Sequence, residues 1–135
     1  MQPEAGLVVM ARWPGAGRCK RRLNRDLNDR LKLTSRGERS ARLQRQLCGH
    51  TFAVARREQQ RGWFDPVLAV SGVGPRSARR WGRQHGIERV RRQGQGSLGT
   101  LLKQQLLLEQ RWRRSTLVIG TDLPDLRHDQ LHTAL

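Results

Sequence analysis

The sequence predicts an α/β fold in which a mostly parallel sheet is covered by helices. Three observations predict it. Short apolar runs rich in β-branched residues lie at 7–11, 67–70, 87–90 and 117–119, each bounded by turn residues, as buried strands are. Longer stretches of helical character separate them, the alternation that builds βαβ units. The 135 residues are about one domain's worth and enough for one core, so residues 1–135 are expected to form a single domain.

The first run, 7–11, ends at "RWPGAG", where Pro14, Gly15 and Gly17 break a strand. From about Glu38 to Arg61, Leu43, Leu47, His50 and Val54 recur at helical spacing among Arg and Gln, which predicts an amphipathic helix docked on the sheet. His50 is read as a core histidine bonded to a neighbour and left out of any site. The run at 67–70 is followed by "GVGP" and a shorter helix over 76–84. The weaker run at 87–90 precedes a third helix starting near Ser97, whose hydroxyl is placed to cap it. Leu101, Leu102, Leu106 and Trp112 follow along that helix, and the "LLL" at 106–108 is read as widening its core-facing side.

After the last run comes "GTDLPDL" and a segment that still reads as helix at Leu135 with no C-cap signal. The expectation is that the later part of a longer domain is missing, because a parallel sheet stopping at its fourth strand exposes an edge.

The formal charge of +16 draws polyanions to the surface. The excess is almost all Arg and is scattered along the chain, which argues against a simple basic arm. Cys19 and Cys48 lie far apart without a CxxC or a secretory signal, the pattern of two ordinary thiols in a reducing cytoplasm. No disulfide and no zinc are expected. No segment is apolar for long enough to span a membrane.

In open parallel sheets ligands bind at the carboxyl ends of the strands, and two such ends carry chemistry here. After the first strand comes Arg12, then Gly15 and Gly17, then Arg18, Lys20, Arg21 and Arg22. Glycines let backbone N–H groups approach an anion, and the following side chains neutralise phosphate charge. The spacing matches neither a Walker A loop nor GxGxxG. After the fourth strand, Thr121, Asp122 and Asp125 follow Gly120. Asp122 is the candidate ligand for Mg²⁺ or Mn²⁺, which take hard oxygen donors and complete their shells with phosphate oxygens and water. Asp125 is read as a helix cap. His128 and His132, one turn apart, are read as surface histidines and not as a metal pair.

"VVMARWPGAGRCKRRL", "SARLQRQLCGHTFAVARRE", "QGQGSLGTLL" and "LVIGTDLPDL" resemble, in order, the blocks of a bacterial family of glycosyltransferase-A-like proteins in the nucleotide-diphospho-sugar transferase superfamily, some of them linked to arsenosugar biosynthesis. The resemblance covers nearly the whole chain. It implies a three-layer α/β/α, Rossmann-like architecture and a nucleotide-activated donor, most simply a nucleotide sugar. It also implies phosphate contacts from Gly17, Arg18, Lys20 and Arg22, a metal-binding role for Asp122, and donor-pocket positions at Gly96, Ser97, Gly99 and Thr121. The family usually has Thr where Arg21 stands, an acidic residue where His50 stands, Asp where Ser97 stands and Arg where Leu101 stands. Its members continue beyond the equivalent of Leu135 into an Asp-Gly-Gly-Tyr block. These departures support donor binding better than turnover, and no catalytic base is assigned.

Two other classes remain as alternatives. Charge alone suggests a nucleic-acid-binding module, but none of the six aromatic residues is interleaved with the basic ones in an RNP-like pattern and the carboxylates at Asp122 and Asp125 repel a backbone. An inactive or truncated remnant of the transferase family would show self-association through its open sheet edge.

Overall fold

The computed structural model describes residues 5–15, 38–122 and 126–134. Four strands form one sheet: β1 (Ala5–Arg12), β2 (Phe64–Ser71), β3 (Val90–Arg92) and β4 (Ser115–Ile119), in the order β3-β2-β1-β4. Every pairing is parallel, with Val8 opposite Val67 on one side and Val118 on the other. Four helices connect or follow them: α1 (Glu38–Arg61), α2 (Pro75–Gln84), α3 (Leu98–Gln110) and α4 (His128–Ala134).

The period-two alternation of β1 divides the core. Leu7, Val9 and Ala11 point to one face, where they pack with Cys48, Phe52 and Ala55 of α1, Ala78 and Trp81 of α2, and Leu131 of α4. Val8 and Met10 point to the other face with Val67, Ala69 and Val118. There α3 lies over β4 and the start of β1: a Cβ on Gly6 would meet Glu109 Oε2 at 3.0 Å. The molecule is thus a three-layer α/β/α sandwich, as expected from the sequence.

Three local expectations are corrected. The third strand is Val90–Arg92 and not 87–90; Ile87 is fully buried in the preceding turn, where its N–H donates to Gly82 O at 2.8 Å. Its apolarity reflects burial in the core, not membership of the ladder. In α1 the buried face is Ser40, Ala41, Gln44, Cys48, Thr51, Phe52, Val54, Ala55 and Glu58, so Val54 is buried as expected while Leu43 and His50 are exposed. Small side chains on that face let the helix approach the sheet, and its polar ones find partners across the fold. His50 is bonded to a neighbour, its Nε2 lying 3.0 Å from Leu126 O, yet it sits at the rim and not in the core.

The third correction concerns α3, which buries Gln105 and Glu109 while Leu107 and Leu108 face outward. The helix also stops at Gln110, leaving Trp112 beyond it 72% exposed. Ionic partners decide the orientation. Glu109 Oε1 accepts from Arg89 Nη2 at 2.8 Å and Arg91 Nη1 at 2.9 Å. Asp65 Oδ2 accepts from Arg89 Nη1 at 2.6 Å and Arg113 Nη2 at 2.7 Å, and Gln105 Oε1 accepts from Arg91 Nε at 2.7 Å. A buried carboxylate must be paired, and these arginines lie on the sheet side of the helix.

Candidate functional site

The chain order places a switch point in the sheet. From β1 it steps to β2 and β3 through α1 and α2, which pack on one face; it then returns through α3 on the opposite face to β4, on the other side of β1. A crevice opens at the carboxyl ends of these neighbouring strands, between Gln44 of α1 on one face and Leu98 and Leu102 of α3 on the other. The β1–β4 ladder ends at Val9 opposite Ile119. Beyond that pair lies a cleft of about 540 Å³, lined by Met10 and Arg12 from β1 and by Val118 to Asp122 from β4.

Other elements complete the walls. Leu98 and Leu102 of α3 give an apolar side, Ser71 ends β2, Gln93 follows β3, and Gln44 reaches in from α1. Gln44 is 4% exposed, and its Nε2 donates to Arg12 O at 3.1 Å and lies 3.5 Å from Thr121 Oγ1. Gln93 Nε2 donates to Ala69 O at 3.0 Å and to Ala11 O at 3.3 Å, joining β2 to β1 at their ends. Backbone carbonyls only accept, so both amides must present nitrogen to the strands. The floor is built from satisfied polar groups on fixed elements, which is how a preorganised site is held.

The chain leaving β1 is anchored. Trp13 N–H donates to Ser71 O at 2.8 Å, Gly15 N–H to Trp13 O at 2.9 Å, and Pro14 is buried. The Trp13 ring meets Trp81 edge to face at 5.1 Å. Gly72, at φ +89°, turns the chain beneath Trp13, with that residue's Cβ 3.5 Å from where its own would stand; a side chain there would be strained.

Of the residues expected from the sequence, Arg12, Thr121 and Asp122 line this cleft together. Arg12 and Asp122 are exposed, and Thr121 is buried beside Gln44. Gly15 lies on the anchored exit of β1. Ser97 caps α3, its Oγ accepting from Thr100 N–H at 3.3 Å, as its sequence position suggested. Gly96, Ser97 and Gly99 flank the start of α3 outside the cleft lining, where Leu98 is the contributor. Gly17, Arg18, Lys20, Arg21, Arg22 and Asp125 lie outside the described residues. Gln44, Gln93 and Ser71 were not anticipated. For Gln44 the one available signal was polar residues at 40, 44, 51 and 58, spaced as a buried face should be.

Among the described residues no helix is long and apolar enough to cross a membrane. His132 is engaged with Glu58, and the side chain of His128 lies outside the described part.

A family model described as an uncharacterized protein conserved in bacteria (DUF2064) matches residues 51–135. No curated protein sequence matches the chain. Among solved structures, the fold is similar to a "putative nucleotide-diphospho-sugar transferase" from Desulfovibrio desulfuricans G20, with a TM-score of 0.71 and 17% identity. The match covers 99% of this chain and 54% of that one, so the chain spans about half the length of that protein. The likeness is one of fold. The family model covers well over half of the sequence, and the chain therefore belongs to the DUF2064 family.

Proposed function

We propose that the chain binds the nucleotide-activated donor of a glycosyltransferase-like enzyme, with the diphosphate lying in the cleft between the ends of β1 and β4. The observation that carries this is the pairing of Arg12 and Asp122 on adjacent strand ends of a strongly basic chain. A solved protein with this fold is described as a "putative nucleotide-diphospho-sugar transferase", and the sequence blocks resemble that superfamily.

Arg12 would take a phosphate through its planar guanidinium, which can donate two parallel hydrogen bonds. The residues beyond Gly15, among them Gly17, Arg18, Lys20 and Arg22, would add backbone N–H groups and further positive charge. Leu98, Leu102, Met10 and Val118 give the cleft an apolar side. Gly96, Ser97, Gly99 and Thr121 would border the donor.

The oxygen chemistry at the end of β4 fits Mg²⁺ or Mn²⁺. Asp122 would supply one carboxylate to a cation that substrate phosphates and water share. Such an ion would offset charge on the departing nucleoside diphosphate. Asp122 would hold and orient it, while Thr121, fixed through Gln44, sets the direction of the strand end.

The test is a thermal-shift series with UDP, GDP and their sugar conjugates, with and without Mn²⁺, on the chain and on Asp122→Asn. A ligand at ~100 times its dissociation constant adds about 2.7 kcal/mol, a rise of several degrees for a domain of this size. The expected result is a shift that needs Mn²⁺ and is lost in Asp122→Asn. A cooperative transition that none of the nucleotides moves overturns the reading.

A further inference from the structure

We propose that Gln44 is a positioning residue that couples phosphate binding at Arg12 to cation binding at Asp122; the inference rests on the donor-site reading above. The β1–β4 ladder ends at Val9 opposite Ile119, so the two strand ends that carry Arg12 and Asp122 separate where the cleft opens. A side chain from a third element spans the gap. Gln44 of α1 donates from Nε2 to the carbonyl of Arg12 at 3.1 Å and lies 3.5 Å from Thr121 Oγ1 and 3.4 Å from Cys48 Sγ.

An amide nitrogen has two hydrogens. One is committed to the Arg12 carbonyl, and the other is shared by Thr121 and Cys48. Gln44 is 4% exposed and Thr121 5%, so water does not compete for these bonds. The last residue of β1 and the residue preceding Asp122 are thereby held by one group, and a shift of either strand end is felt at the other. Thermodynamic linkage then requires that a cation tightens phosphate binding by the same factor that phosphate tightens cation binding. In this arrangement the residue acts through the backbone of Arg12 and the side chain of Thr121.

Isothermal titration of the full chain with inorganic pyrophosphate, with and without Mn²⁺, reads the coupling directly, since pyrophosphate is the unit common to nucleotide-diphosphate donors. Gln44→Met keeps length and apolar volume and removes both donors; Gln44→Glu puts an acceptor against the Arg12 carbonyl. Thr51→Ala, on the same buried face and bonded to Leu47 O at 3.1 Å, controls for loss of stability alone. The wild-type chain is expected to bind pyrophosphate about tenfold tighter or more with Mn²⁺, within the usual range of coupling factors, and both Gln44 variants to show a ratio lowered by about threefold or more, the remainder being the direct contact of cation with phosphate oxygens. Thr51→Ala is expected to keep the wild-type ratio. Gln44 variants that retain the full ratio overturn the coupling and leave the donor site standing. A wild-type chain without any Mn²⁺ enhancement overturns both.

Discussion

Glu58 Oε2 lies 2.6 Å from His132 Nε2, joining the last turns of α1 to α4 across 74 residues of sequence. The Glu58 side chain is fully buried and His132 is 31% exposed, with Trp63 and Phe64 edge-on to the imidazole at 5.2 and 5.7 Å. Arg61 Nη1 also lies 3.8 Å from Glu58 Oε1 and is itself largely exposed. The pair pins α4 to the body of the fold, with Leu131 beside it in the core.

His132→Ala is therefore expected to strip a buried carboxylate of its short hydrogen bond. The cost of leaving such a group under-satisfied is about 1–3 kcal/mol. A thermal melt followed by circular dichroism checks this, and proteolysis should cut first at the loosened α4. An unchanged midpoint would show that the pair is not formed in solution.

Gly82 permits α2 to lie directly on the turn before β3. A Cβ there would stand 2.4 Å from Val90 Cγ2 and 2.6 Å from Ile87 O, and the second of these is backbone that cannot rotate away. Gly82→Ala should destabilise the chain by about 1–3 kcal/mol through overpacking, although alanine is the better helix former. Urea unfolding distinguishes the two effects by sign.

His85 closes α2 and packs edge-on to Phe52 at 4.9 Å. Burial lowers its pKa below 6.5. Between the lowered folded value and 6.5 the unfolded chain binds the proton more readily, so this residue's contribution is complete above 6.5 and is lost as pH falls through that window. Melting temperatures taken from about pH 7.5 to about pH 5.5 should decline less in His85→Phe than in the wild-type chain, the difference isolating this imidazole from the other histidines.

The ionic underside of α3 makes a paired prediction. Glu109→Gln leaves Arg89 and Arg91 facing one carboxylate fewer and should cost about 1–3 kcal/mol. Leu107→Ser with Leu108→Ser, on the outward face, should change stability by no more than about 0.5 kcal/mol per site. Denaturant titration of the two variants would give the reverse order if the apolar face of the helix were the docked one.

The alternation of apolar runs with helical stretches determined the parallel sheet with its covering helices and the order in which they follow one another. Local signals sufficed for this, because strand and helix periodicity are written in neighbouring residues. Ser97 as the cap of α3, and Arg12 with Asp122 at adjacent strand ends, were legible for the same reason. Only the tertiary structure decided which side of a helix is buried. Leu43 and Leu107 read as core and are exposed, while Gln44, Glu58, Gln105 and Glu109 read as surface and are buried. A polar side chain can be buried when a partner meets it, and those partners, Arg12 O, His132, Arg91 and Arg89, are 32, 74, 14 and 20 residues away. Sequence periodicity records what each side chain is; burial depends on which distant group the fold brings against it.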